Sequence, residues 1–192
     1  MKAFLDSGNF LETIVATAEK NSEDARTITG DLNETQLNWK PAPNQWSIAQ
    51  CLEHLAITSG KFDEYFSQAI VRGKQTDVST PPGYKPSLVG GWLARQVDPV
   101  GGRNLRAPKV FRPTQSSDIK GTLDLFLNQQ ARFIDFVRQC AGIDYNKTRI
   151  RSPVTPLMRY SLADAFVITV LHGQRHLAQA RRVREGPRFP RD

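Results

Sequence analysis

The chain has 192 residues, 39% of them hydrophobic and 23% charged, with a net charge of +7. This suits one domain over residues 1–192 with a substantial core and room for one long insertion. No apolar run approaches the roughly 20 residues that cross a bilayer, MKAFLDSGNFLE at the N-terminus does not read as a secretory signal, and Cys51 and Cys140 make neither a disulfide framework nor a CxxC motif. The expectation is a cytoplasmic globular protein that does not engage the membrane.

The first helical pattern runs from about Ser7 to Leu32. Phe10, Leu11, Ile14, Ala18, Ala25 and Ile28 form its apolar stripe, with Asp6 or Ser7 as N-cap. Pro41 and Pro43 in LNETQLNWKPAPNQW then break any helix and stiffen the connection. The second helix starts at Ser47, where SIAQ is a capping-box pattern and Trp46 can pack as a hydrophobic staple on Cys51 or a near neighbour. Its apolar positions continue through Leu52, Leu55, Phe62, Phe66 and Ile70, and Gly73 is a plausible stop.

Residues 74–115 differ in character, holding six of the twelve prolines and five of the thirteen glycines. They read as a long loop insertion with a short helix near Ser87 to Gln96, long enough to fold over one end of a bundle. A third helix begins near Ser116 or Ser117, carries Ile119, Leu123, Phe126, Phe133 and Val137, and ends near Cys140 with Gly142 beyond it. After a second loop, SLAD at Ser161 opens a fourth helix that runs to about Arg184, where Gly186-Pro187 ends it. No segment shows strand alternation beyond a few residues. The fold expected is an all-α four-helix bundle, followed by a basic tail over about 186–192.

The chain has three histidines. His172 and His176 stand four apart on one helix face, on a seam with Ala165, Thr169, Gln179 and Val183 that points inward. Inward imidazoles need partners. His54 lies about two turns into the second helix, and if the second and fourth helices are neighbours the three rings meet. Neutral imidazoles converging on one point make a metal site with open positions; satisfied core histidines are the alternative. Glu53 adjoins His54 but points about 100° away on the helix. Gln50, Arg175 and Gln179 are the better candidates for contacts around a ligand or substrate. Gly173 costs roughly 1 kcal/mol of helix stability against alanine and fits a close approach of another helix or a ligand.

NQWSIAQCLEHLA resembles the segment that opens the second helix of DinB-like (DinB/YfiT) four-helix-bundle proteins, and LHGQRHLAQ resembles their last helix with its HxxxHxxQ pattern. LNETQLNWKPAPNQW also looks like the stretch between the family's first two helices. The resemblance implies a divalent metal, zinc or nickel, held by His54, His172 and His176, with Gln179 matching the family glutamine. It implies a metal-dependent transferase that uses a low-molecular-weight thiol, or a hydrolase, acting on a small molecule; pairing into a homodimer through bundle faces is also known in the family. The insertion at about 74–115 is not well matched by the family pattern. A non-catalytic metal- or ligand-binding bundle is the second reading. Nucleic-acid binding through the basic segment Arg95 to Arg112 and the tail ranks third, since no known reader motif accompanies them.

Overall fold

The computed structural model describes residues 1–75, 78, 83–102, 107–113, 119–155 and 157–191. Four long helices carry the structure: α2 (Phe10–Thr29), α4 (Ile48–Gly73), α6 (Ile119–Arg138) and α7 (Leu162–Arg184). Short helices α1 (Lys2–Leu5), α3 (Glu34–Asn38) and α5 (Leu88–Val97) and a 3-10 turn at Lys109–Phe111 decorate them. The four-helix bundle expected from the sequence is the architecture found.

Its connectivity places the histidines. α4 packs on α6 and α7, and α2 packs on the same two helices, so α2 faces α4 and α6 faces α7 across the diagonals of the bundle. Two connections therefore cross an end of the bundle, through α3 and through the loop between α6 and α7. Because α4 and α7 are neighbours, His54 can meet the two histidines of α7.

The helix starts follow their local chemistry. Ser47 accepts from the Gln50 amide while Gln50 reaches back to the Ser47 amide, and Ser161 and Asp164 repeat the device at α7. The first long helix starts later than Asp6 or Ser7: Asn9 is its cap and accepts from the Glu12 amide. A third capping box, Asn33 with Gln36, opens α3, a helix the proline-rich connection did not suggest. The start of α6 near Ser116 or Ser117 lies outside the described residues, as do Arg103 and Arg106 of the basic segment. Gly142 takes a φ of +81° beyond α6, a conformation open to glycine.

One local element is added to the expected bundle. The loop after α6 holds a small antiparallel hairpin, β1 (Arg149–Arg151) with β2 (Arg159–Ser161), in which Ile150 pairs with Tyr160. Three-residue strands are too short for alternation to reveal them, and both Ile150 and Tyr160 are buried. The tail is not merely a solvated basic run either. Phe189 is buried edge-on to Trp39 at 5.6 Å, and the Pro190 carbonyl accepts from Gln36 Nε2 at 3.1 Å. Just before it, Arg181 pairs with Asp24 of α2 and Arg184 with Asp31 just beyond the end of α2.

Asp164 does more than cap α7. It is fully buried, and its carboxylate accepts from the Tyr84 hydroxyl at 2.9 Å, the Ser87 amide at 3.3 Å and Ser161 Oγ at 2.6 Å. Tyr84 also stacks on Phe10 of α2 at 5.2 Å. One side chain thus fixes both the start of α7 and the start of α5, and a Cβ on Gly90 would run into it. The insertion is thereby held against α7, the helix that carries two of the histidines.

Replacing Asp164 by alanine leaves several buried donors without an acceptor, each costing about 1–3 kcal/mol. Asp164→Ala is expected to lose at least about 3 kcal/mol in urea unfolding and to open the 83–102 segment to limited proteolysis. Unchanged stability and an unchanged cleavage pattern would rule out this anchoring role.

Candidate metal centre

Two apolar clusters divide the bundle. One holds Phe62, Phe66, Phe133 and Phe166; the other holds Leu52, Leu55, Phe126 and Leu177. The histidines lie along α4 and α7 where one cluster gives way to the other. His54 is buried at 3% exposure, while His172 and His176 are partly exposed and line a cleft of about 1460 Å³. The seam of α7 therefore faces a cleft rather than a closed core.

The three rings converge. One nitrogen from each lies within 4.8 Å of the others. Ring centroids are 5.0 Å apart for His54 and His172, and 4.6 Å for His176 with either partner. His54 Nε2 and His172 Nε2 are 3.1 Å apart. Two imidazoles on one zinc ion, each at about 2.0–2.1 Å, stand roughly 3.3 Å apart in tetrahedral geometry. The spacing thus fits two ligands of one ion, and the donor set fits zinc, nickel or iron.

The far side of two rings decides which nitrogen faces inward. His54 Nδ1 lies 2.6 Å from the Phe111 carbonyl oxygen. A carbonyl only accepts, so Nδ1 carries the proton and Nε2 keeps its lone pair toward the other rings. His176 Nδ1 lies 3.0 Å from Gln179 Oε1, and with the amide turned this way the same tautomer results. Such outer hydrogen bonds orient metal-ligating imidazoles. Gln179 therefore stands where a ligand-orienting residue belongs. The Phe111 carbonyl, supplied by the insertion, has no sequence signal, because a backbone oxygen belongs to every residue.

Burial keeps the rings neutral. It lowers His54, with the Phe111 carbonyl opposing part of the shift. Burial, then the adjacent His176, His54 and Arg175, hold His172 well below the ordinary 6.5. Burial and His54 push His176 down to about 3 despite the Gln179 bond. Neutral imidazole is the form that binds metal.

The indole of Trp46 lies 4.8 Å from the His54 ring and 5.5 Å from that of His176. The residue expected as a helix staple thus walls the imidazoles. Gln50 lines the cleft while its amide oxygen serves the Ser47 cap at 3.2 Å. Arg175 lines it too, with Nη1 3.4 Å from the Asp98 carbonyl of the insertion. Lys40, Arg112, Arg182 and Arg188 add to this positive wall, and no aspartate or glutamate is part of it among the described residues. Gly173 is explained by packing: a Cβ there would collide with Asn21 of α2, whose Nδ2 donates to the Val170 carbonyl at 3.1 Å. No helix among the described residues is long and apolar enough to cross a membrane.

Residues 17–180 match the family model of the DinB superfamily. No curated protein matches the chain. Among solved structures it is similar to YfiT from Bacillus subtilis, described as "a probable metal-dependent hydrolase with an unusual four-helix bundle topology". The two are 17% identical, with 93% of this chain and 88% of that chain covered and a TM-score of 0.55, a likeness of fold.

The depressed imidazoles make a prediction for the metal-free protein. Below about pH 6.5 an unfolded histidine takes a proton that the buried rings refuse. Stability present above that pH is therefore lost as the pH falls from 6.5 toward 3. By pH 4.5 the His176 contribution alone is on the order of 2 kcal/mol. Urea unfolding across this range should show a shallower acid loss for His176→Asn than for the unsubstituted chain; equal slopes would contradict the assignment.

Proposed function

The chain belongs to the DinB superfamily, and from that premise we propose that it is a metal-dependent enzyme acting on a small molecule, with His54, His172 and His176 as the ligands of a zinc or nickel ion. The observation that carries this reading is the convergence of three neutral imidazoles, two with their outer nitrogens tied to acceptors. A divalent ion on three neutral ligands keeps its charge and lowers the pKa of a water or thiol placed against it.

The chain's own groups do the rest. The Phe111 carbonyl and Gln179 hold the imidazoles in one tautomer and orientation. Trp46 keeps water from one side of the rings. Arg112, Arg175 and Arg182 give the cleft a positive potential that favours an anionic substrate. The acceptor is water or a low-molecular-weight thiol. The YfiT description supports hydrolysis. The absence of a carboxylate among the described cleft residues favours the thiol, since a thiol that ionises at the centre needs no general base while a water nucleophile is helped by one. We place the enzyme in the cytoplasm.

Purified protein is expected to take up one equivalent of zinc or nickel. His172→Ala should abolish uptake while leaving the helical circular dichroism intact, and Gln179→Leu should weaken affinity by about 10- to 100-fold. Uptake unaffected by His172→Ala would remove the ligand assignment. Turnover of an ester and amide panel without thiol identifies a hydrolase; turnover of electrophiles only with added thiol identifies a transferase. A loaded protein that turns over neither panel leaves the binding-module reading in its place.

A further inference from the structure

The cleft has two unlike ends. α4 and α7 run along it in opposite directions: Phe62 of α4 shares one apolar cluster with Phe166 of α7, and Leu52 shares the other with Leu177. At the Phe62 end the cleft adjoins a cavity of about 180 Å³ beside His172, walled by Leu55, Phe62, Leu93, Val97, Met158 and Ile168. Phe62, Val97 and His172 border both spaces, so a molecule at the imidazoles can extend into the cavity. The hydroxyls in its wall are largely used within the protein. Thr58 donates to the His54 carbonyl at 2.7 Å and Thr169 to the Ala165 carbonyl at 2.8 Å. Ser152 accepts from the Val154 amide at 3.2 Å and is hydrogen-bonded to Tyr160. What the cavity offers a ligand is therefore mainly apolar surface, and an apolar cavity of about 150 Å³ holds benzene.

The other end of the cleft, beyond His176, is cationic. Lys40, Arg182 and Arg188 line it. Arg182 stands about 9 Å past His176 along α7, and its charge reaches the His176 ring. Its neighbours Arg181 and Arg184 point away from the cleft and pair with Asp24 and Asp31. Lys40, Arg182 and Arg188 have no ion-pair partner among the described residues. Gathered cations without an acid raise the local concentration of anions.

We infer that the cleft takes a two-ended molecule that straddles the imidazoles, with a benzene-sized apolar arm in the cavity beside His172 and an anionic group against Lys40 and Arg182. On the metalloenzyme reading above, on which this role rests, that molecule is the substrate and its reacting atom lies between the two ends. The two-ended binding itself does not depend on the metal.

6-Phenylhexane-1-sulfonate carries both ends, 6-phenylhexan-1-ol lacks the charge, and ethanesulfonate lacks the arm. Each is titrated against metal-free and zinc-loaded protein and followed by NMR. The two-ended sulfonate is expected to bind on the order of tenfold more tightly than either analogue. Its phenyl protons should contact the methyls of Leu55 and Ile168, and its sulfonate should shift the Arg182 side chain. Equal binding of the alcohol overturns the anionic end, equal binding of ethanesulfonate overturns the apolar end, and contacts in the reverse order overturn the orientation. No binding by any of the three overturns the whole inference. Val97→Phe, at a partly exposed position bordering both spaces, should remove the advantage over ethanesulfonate. Lys40→Gln combined with Arg182→Gln should remove the advantage over the alcohol. An advantage that survives its substitution counts against that end. In the cobalt-loaded protein the middle methylenes of the bound sulfonate should broaden more than either end; broadening greatest at one end overturns the substrate role. If no metal is taken up, the metalloenzyme reading and the substrate role built on it fail, while the metal-free titration still decides whether the cleft binds at both ends.

Discussion

The structure depends on keeping three uncharged imidazoles together inside a helical bundle. Buried polar rings are costly unless each nitrogen has a partner. Here the partners come from three directions. The Phe111 carbonyl takes the outer proton of His54, Gln179 takes that of His176, and the inner nitrogens face one another. Shared burial then pushes all three rings toward the neutral form. The inner nitrogens of all three rings lie within reach of one point, the arrangement that a divalent cation fits.

The rest of the architecture serves that convergence. Diagonal connectivity makes α4 and α7 neighbours although they are far apart in sequence. The insertion supplies both Phe111, which orients His54, and α5, which walls the apolar cavity. Asp164 holds the start of α5 onto the start of α7 by accepting from both. The insertion, not the bundle alone, therefore shapes the space next to His172. Chains that share the imidazoles but differ in this segment should share metal chemistry and differ in substrate, since fold and site are separable.

Much of this was legible in the sequence because it rests on local patterns. Ser47 with Gln50 and Ser161 with Asp164 are capping signatures that fixed two helix starts. The spacing of His172 and His176 put both rings on one face with Gln179 on the same seam, the place of His54 in the second helix made it a third candidate if the two helices were neighbours, and the resemblance of NQWSIAQCLEHLA and LHGQRHLAQ to DinB-like helices pointed to the same set. What was not legible is long-range or carried by the backbone. The Phe111 carbonyl leaves no trace in residue types. Trp46 read as a staple because it stands just before the Ser47 cap; it does pack on the apolar cluster that holds Cys51 and Leu52, but nothing in the sequence shows that it also stands against two imidazoles. The β1–β2 hairpin is too short for periodicity to show, Phe189 docks onto Trp39 across the length of the chain, and Asp164 reads as a first-turn acid until Tyr84 and Ser87 are seen to donate to it.

The central claim is that the three imidazoles share one ion, and X-ray absorption of the zinc-loaded protein tests it most directly. The account predicts a shell of nitrogen and oxygen ligands at about 2.0–2.1 Å, with the outer-shell scattering of three imidazole rings and no sulfur. A sulfur shell at about 2.3 Å, or an oxygen-only shell without imidazole scattering, would contradict it.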